Sequence, residues 1–172
     1  MDALIAFLDR ASFWLARFTR LAVVVLATGF IVALICQIVF RYIFNSPLSW
    51  SEELATFQFV WATLLAASYG VRAREHLRLT LLADALPQTP RVWLEAFCLC
   101  LVAVFGVFLV TNGWRLASLV WSNTSAAIGY PIGYLYLSVP ISGALIALHS
   151  LSQAATVVAG SANQSRRTNS ST

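Results

Sequence analysis

The residues able to do chemistry in this sequence are few, and they lie in or beside long apolar runs. His149 falls inside one such run, Glu95 lies near the start of another, and Glu52 and Glu53 precede a third. An ionisable side chain within an apolar membrane-type segment is rare, and it is a candidate proton relay, ion-coupling carboxylate or cofactor ligand. Each of the four residues therefore has to be weighed against a structural role.

For His149 and Glu95 the structural role is favoured. Glu95 follows Arg91 by one helical turn, so an ion pair near the membrane boundary is favoured over an ion-coupling carboxylate. His149 could relay protons, ligate haem or form a hydrogen bond to a neighbouring helix. The last is favoured, because a second haem ligand would have to be His76, which lies in a predicted loop.

Glu52 and Glu53 follow a predicted turn at residues 45–47, whose Asn, Ser and Pro are turn formers. Ser49 fits a helix N-cap, and Glu52 three residues later fits a capping box, with Glu53 near the positive helix end. A bound cation or a basic partner surface is the alternative. Capping, together with an ion pair to Arg41 across the turn, explains both carboxylates more simply.

Other catalytic arrangements are missing from the sequence. It contains no Ser/His/Asp grouping, no metal-ligand spacing and no phosphate-binding glycine loop. The three cysteines lie in apolar runs, and two of them are two residues apart, a spacing that points to different helix faces. We therefore predict no enzymatic activity, no metal site, no cofactor and no disulfide.

Composition indicates the elements that carry these residues. The chain has 172 residues, of which 59% are hydrophobic and 10% charged, and its mean hydropathy is +0.77, as in polytopic membrane proteins. We predict an all-α protein with one membrane domain over residues 21–159. Its four transmembrane helices are expected at about 21–41, 50–71, 91–115 and 133–158, the last one kinked at Pro140.

The segments outside these helices have their own patterns. Residues 1–20 predict an amphipathic helix in the membrane interface rather than a cleavable signal peptide, since charges interrupt the first apolar run. Residues 72–91 predict a short amphipathic connection. Residues 160–172 are rich in Ser, Asn and Thr, and they predict a disordered tail.

The distribution of arginine predicts the orientation. All eleven basic residues are arginines, and the predicted helices put nine of them on one side, namely Arg10, Arg17, Arg20, Arg72, Arg74, Arg78, Arg91, Arg166 and Arg167. Only Arg41 and Arg115 are on the other side. The positive-inside rule then places both termini in the cytoplasm and the turn at residues 45–47 outside.

Residues 40–76 also resemble a known family. They read FRYIFNSPLSWSEEL, then FVW, a small-residue run and Arg72-x-x-x-His76. This pattern is similar to the small membrane subunit of the tripartite ATP-independent periplasmic (TRAP) transporters. Looser similarity continues through Leu86-Pro87, Gly113-Trp114, Gly129-Tyr130-Pro131 and residues 136–140.

The resemblance implies a function in the bacterial inner membrane. A small TRAP subunit would bind the large membrane subunit, enlarge and anchor its static scaffold, and help to dock the periplasmic substrate-binding protein. The complex would take up an organic acid with an ion gradient, usually of sodium, and the chain would contact lipid but no nucleic acid. The matching positions are expected to bind a partner or to organise the turn between the first two membrane helices. They are Arg41, Asn45, Pro47, Trp50, Glu52, Glu53, Trp61, Arg72 and His76.

Two other classes of protein would also contain four apolar helices. One is the haem- or quinone-binding anchor subunit of a respiratory enzyme, which would require His149 as a ligand. The other is a tetraspan membrane protein that assembles with copies of itself.

Overall fold

Helices make up nearly all of the regular structure in the computed structural model, which describes residues 2–46, 48–73 and 88–169. They are α1 (Asp2–Tyr42), α2 (Ser49–Arg72), α3 (Gln88–Leu119), α4 (Gly133–Tyr136) and α5 (Ser138–Asn169). Four segments of these helices are long and apolar enough to cross a membrane. The predicted all-α membrane fold is confirmed, while most of the predicted 72–91 connection lies outside the described residues.

The first helix is longer than the predicted span because the N-terminal amphipathic segment joins it without a break. α1 runs from Asp2 to Tyr42 as one helix. Ser12, Ala16 and Thr19 are buried on one of its faces, at spacings of four and three residues that place them on a common stripe. From Ser12 onward, α1 therefore packs against the other helices.

The last predicted helix has a one-residue interruption at Leu137. α4 ends at Tyr136 and α5 begins at Ser138, just before Pro140, which has no N–H to donate to the carbonyl of Tyr136. Proline in the first turn of α5 is tolerated, because the N–H groups there have no partner within the helix. Leu137 nevertheless keeps an α-helical backbone, and the N–H of Ile141 still donates to its carbonyl, at 3.2 Å, so Gly133–Val157 forms one span and the kink at Pro140 stays a prediction.

α5 continues to Asn169, so residues 160–169 are helical where the sequence predicts a disordered tail. Their composition is polar, but no Gly or Pro interrupts them after Gly160. Adding residues to an existing helix is far easier than starting one, since the nucleus is already formed. The packed part of α5 supplies that nucleus.

The contacts between helices make α5 the central helix and leave α1 and α3 on the outside. α3 packs mainly on α5, α1 mainly on α2, and α2 joins the two pairs by packing on α5. The outer faces of α1 and α3 carry large exposed apolar side chains, including Val25, Ile35, Val104 and Phe108. Such faces suit lipid or another membrane protein.

α3 and α5 approach closely where two glycines face each other. A Cβ atom added to Gly143 would lie 2.8 Å from the carbonyl oxygen of Gly106, and one added to Gly106 would lie 2.8 Å from the carbonyl oxygen of Gly143. Small residues permit this backbone contact, which is a common way of joining helices in membranes. Gly106 and Gly143 therefore fix the distance between the two helices.

Candidate functional site

The connection between α1 and α2, residues 43–48, is here called the hairpin. The N–H of Ser46 donates to the carbonyl of Phe40, at 3.1 Å, and closes the chain over the end of α1. Asn45 has a φ of +49°, in the left-handed region, which asparagine tolerates better than other non-glycine residues. The predicted turn is therefore present; Pro47 lies outside the described residues.

Asn45 offers a test of the hairpin conformation. Replacing it with valine is expected to lower the free energy of unfolding by about 1–2 kcal/mol, since a β-branched residue fits the left-handed region poorly. Asn45→Gly is expected to leave stability almost unchanged. Thermal unfolding of the detergent-purified protein measures both variants, with Asn123→Val as the control in another exposed loop. Equal unfolding midpoints for Asn45→Val and the wild type would contradict this conformation.

α2 begins differently from the prediction. Ser49 is the first helical residue, and the N-cap is Leu48, whose side chain makes no capping hydrogen bond. The hydroxyl of Ser51 instead donates to the carbonyl of Leu48, at 2.7 Å. The predicted capping box at Ser49 and Glu52 is wrong, because Glu52 is engaged elsewhere: it accepts a hydrogen bond from the Gln37 amide of α1, at 2.7 Å.

Glu53 binds the connection between α3 and α4, residues 120–132, here called the outer loop. Its carboxylate accepts hydrogen bonds from the hydroxyl of Ser125 and from the backbone N–H groups of Ala127, at 2.9 Å, and Ile128, at 3.0 Å. Charge-assisted bonds of this kind are stronger than neutral ones. The partners found for both carboxylates are thus uncharged groups, and the ion pair with Arg41 stays a prediction.

The outer loop folds back on itself around this carboxylate. The N–H of Ser125 donates to the carbonyl of Tyr130 and that of Ile132 to the carbonyl of Asn123, at 2.9 and 2.8 Å. Gly129 has a φ of +80°, a conformation that glycine adopts without steric cost. The loop is therefore a small closed turn whose tip presents N–H groups to α2.

Aromatic side chains attach the outer loop and α4 to α2 below Glu53. The rings of Phe57 and Tyr130 meet edge to face, with centroids 5.6 Å apart. Trp61 donates its indole N–H to the carbonyl of Tyr134, at 3.2 Å, so it contacts the neighbouring helix as predicted. Burial, and then the negative charge of Glu53, raise the pKa of Tyr130.

At the opposite end of the bundle, α2 is fastened to α5. The side-chain amide of Gln153 donates to the carbonyls of Val71, at 2.7 Å, and Arg72, at 3.4 Å. These carbonyls belong to the last turn of α2, where they have no partner within the helix. Arg72 is therefore at a firmly held helix end, while His76 lies outside the described residues.

His149 forms a hydrogen bond between helices. It is fully buried, and its Nδ1 lies 2.7 Å from the hydroxyl of Ser12 on α1. The predicted role as a helix–helix hydrogen bonder is confirmed. The side chain of Arg91 lies outside the described residues, so its pairing with Glu95 stays a prediction.

Comparison with known protein families identifies the family of this chain. The sequence profile of the DctQ component of the tripartite ATP-independent periplasmic transporters matches residues 30–160, which is most of the chain. The chain belongs to this family. As a TRAP small permease it is a transporter component, not an enzyme, and it is a multi-pass protein of the inner membrane.

Individual relatives of this TRAP chain fall into two size classes. It is 32% identical over 113 residues to the sialic acid TRAP transporter permease protein SiaT of Haemophilus influenzae, covering 66% of the chain but 18% of SiaT. It is 30% identical over 108 residues to the isethionate TRAP transporter permease protein DctMQ of Oleidesulfovibrio alaskensis, covering 59% of the chain and 16% of that relative. The small permease protein SiaQ of Vibrio cholerae is 25% identical over 126 residues, with 73% of each chain covered. The chain thus spans less than a fifth of the two longer relatives.

The structure divides the TRAP motif residues between two ends of the protein. Asn45, Trp50, Glu52 and Glu53 lie in or next to the hairpin, as does Arg41 at the end of α1. Arg72 is 22 residues beyond Trp50 along α2, about 33 Å at 1.5 Å per residue. These residues therefore do not form one site.

Sequence reasoning missed the partners of the TRAP motif. Gln37, Ser125 and the N–H groups of the outer loop bind Glu52 and Glu53, but they are uncharged and distant in sequence. For the outer loop, the sequence did offer one indication, the turn-forming segment Gly129-Tyr130-Pro131, which is part of the family resemblance.

Proposed function

We propose that this chain binds the large membrane subunit of a TRAP transporter, enlarges and anchors its static scaffold, and helps to dock the periplasmic substrate-binding protein. The complex would use an ion gradient, usually of sodium, to take up an organic acid.

The observation that carries the proposal is the size of the longer relatives. SiaT and DctMQ are both named permease proteins, and the segment similar to this chain forms 18% and 16% of their lengths. In those proteins the small-subunit segment is covalently joined to a much larger permease. A separate chain of the same family would then bind its large subunit in equal number.

The packing of the helices is consistent with a scaffold role. α1 and α3 are the outer helices, and they expose apolar side chains from Phe13 to Phe40 and from Trp93 to Leu119. One of these faces can pack on a large membrane subunit while the other contacts lipid, which would widen the combined membrane domain. The hydrogen bonds of Glu53, Gln153 and His149 hold the four spans as one unit.

The hairpin end offers the surface proposed for docking. Trp50 and Arg41 are exposed there, and Phe44 is 62% exposed. Exposed Trp and Arg side chains are common energetic centres of protein interfaces. If the arginine distribution sets the orientation, this surface faces the periplasm.

Co-purification tests the proposal. The chain is tagged in its native host and extracted in mild detergent, and the proteins that accompany it are identified and quantified. We expect a large permease in equal amount. The triple variant Arg41→Ala, Trp50→Ala, Glu52→Ala is expected to recover at least about tenfold less of the permease or of the binding protein, because such side chains often contribute 2 kcal/mol or more.

A control variant with matched exposure is available at the other end of the protein. Arg10→Ala with Trp93→Ala removes an exposed arginine and an exposed tryptophan far from the hairpin, and normal recovery is expected. Photo-crosslinkers at Val25 on α1 and Val104 on α3 then report which outer helix meets the large subunit. Crosslinks only between copies of this chain would contradict the proposal.

A further inference from the structure

A groove opens between α1 and α2 at the end opposite to the hairpin. Its volume is about 810 Å³, within the usual range of ligand pockets, about 300–1,000 Å³. Three arginines line it, Arg17 and Arg20 from α1 and Arg72 from α2, together with Tyr69. The groove therefore gathers guanidinium groups from two helices around one opening.

The wall that α1 gives to the groove has its arginines between two apolar parts. Phe13 and Trp14 line it before Arg17 and Arg20, and Leu21 and Val24 continue the wall beyond them. Leu21 begins an uncharged run of twenty residues that reaches Phe40, about 30 Å of helix and the thickness of a hydrocarbon core. The arginines thus lie at the level of lipid head groups, and the apolar wall lies at the level of the acyl chains.

The length of α2 independently indicates where the lipid head-group layer lies. It has 24 residues from Ser49 to Arg72, about 36 Å of helix, so both of its ends reach the head-group layers. Arg72 on α2 and the arginines of α1 therefore face the same layer of the membrane.

We propose that this groove binds one anionic phospholipid, with its phosphate held by Arg17 and Arg20 at the rim and its acyl chains along Leu21 and Val24. Guanidinium groups bind phosphate oxygens through paired charge-assisted hydrogen bonds. The apolar wall selects a lipid over a free phosphate, since a soluble anion would leave that surface unused. The inference needs only this chain, so it stands apart from the proposed function.

Lipid titration tests the groove. The full chain is purified in mild detergent, freed of bound lipid and titrated with phosphatidylglycerol, and native mass spectrometry counts the lipids bound per chain. One tightly bound lipid is expected. Arg17→Gln with Arg20→Gln is expected to weaken its binding about tenfold to thirtyfold, from the usual contribution of arginines near an anionic membrane surface.

The controls separate the groove from general attraction to a basic protein. Arg10→Gln with Arg115→Gln also removes two positive charges, but from arginines outside the groove, and unchanged lipid binding is expected. Phosphatidylcholine, which has no net charge, is expected to bind more weakly than phosphatidylglycerol. Arg17→Lys with Arg20→Lys keeps the charge without the guanidinium fork, and intermediate affinity is expected.

Three results would overturn the proposal. Equal weakening in both double glutamine variants would indicate non-specific attraction. Binding of glycerol 3-phosphate as tight as that of phosphatidylglycerol would indicate a site for a soluble phosphate. Loss of the large permease from Arg17→Gln with Arg20→Gln, with lipid binding unchanged, would make the groove a protein interface. Circular dichroism of every variant checks that the helices are retained.

Discussion

Replacing Gly143 with valine is expected to force α3 and α5 apart and to lower the free energy of unfolding by about 2 kcal/mol, a typical cost of overpacking. The new Cβ would lie 2.8 Å from both the Gly106 carbonyl oxygen and the Leu109 Cβ, and 3.0 Å from the Val110 nitrogen. Two of these atoms are backbone atoms and cannot turn away, so a whole helix must shift. Denaturant unfolding of the detergent-purified protein, followed by circular dichroism, measures the change.

A matched control lies one residue further along α5. Ala144 is exposed, so Ala144→Val adds two methyl groups about 100° around the helix axis from Gly143, on a face that does not contact α3. It is expected to change stability by no more than about 0.5 kcal/mol, as surface substitutions usually do. Equal stability of Gly143→Val and Ala144→Val would show that the two backbones are not in contact.

Replacing Glu53 with alanine is expected to release the outer loop from α2. The Ala127 and Ile128 N–H groups and the Ser125 hydroxyl all lose their acceptor. Hydrogen–deuterium exchange at these two amides is expected to accelerate by about tenfold or more, because exchange follows local opening. The pKa of Tyr130 is expected to fall, since the Glu53 charge contributes to its increase, while the part due to burial remains.

Glu52→Ala provides the control for the Glu53 variant. It removes the neighbouring carboxylate, which binds Gln37 on α1 and not the outer loop. Exchange at Ala127 and Ile128 and the ultraviolet titration of Tyr130 are expected to stay as in the wild type. Faster exchange in Glu52→Ala, or unchanged exchange in Glu53→Ala, would show that Glu53 does not hold the outer loop against α2.

The sequence predicted those features that depend on local pattern. The four spans follow from apolar length, and Asn45 marks the turn because few residues adopt a left-handed conformation so readily. His149 was correctly predicted to bond a neighbouring helix, although its partner Ser12 lies in a segment expected at the membrane surface. Hydrophobic periodicity describes which face of a helix is apolar, but not where that helix joins another.

The features that the sequence did not reveal depend on distant partners. The capping box at Ser49 and Glu52 satisfies a local rule, yet Glu52 binds a side chain 15 residues earlier and Glu53 one 72 residues later. Contacts with distant residues form only when the helices pack together, so a rule based on neighbouring residues does not include them. The outer loop binds Glu53 largely through backbone N–H groups, which every residue except proline possesses, so its composition could not show this role.

The unbroken length of α1 has a mechanical consequence. Its 41 residues form a rod about 62 Å long, roughly twice the thickness of a hydrocarbon core. Sharp helix kinks usually occur at proline or similar defects, and α1 contains no proline. A sideways displacement of its N-terminal end would therefore be transmitted to the hairpin, so that the two faces of the membrane domain respond together.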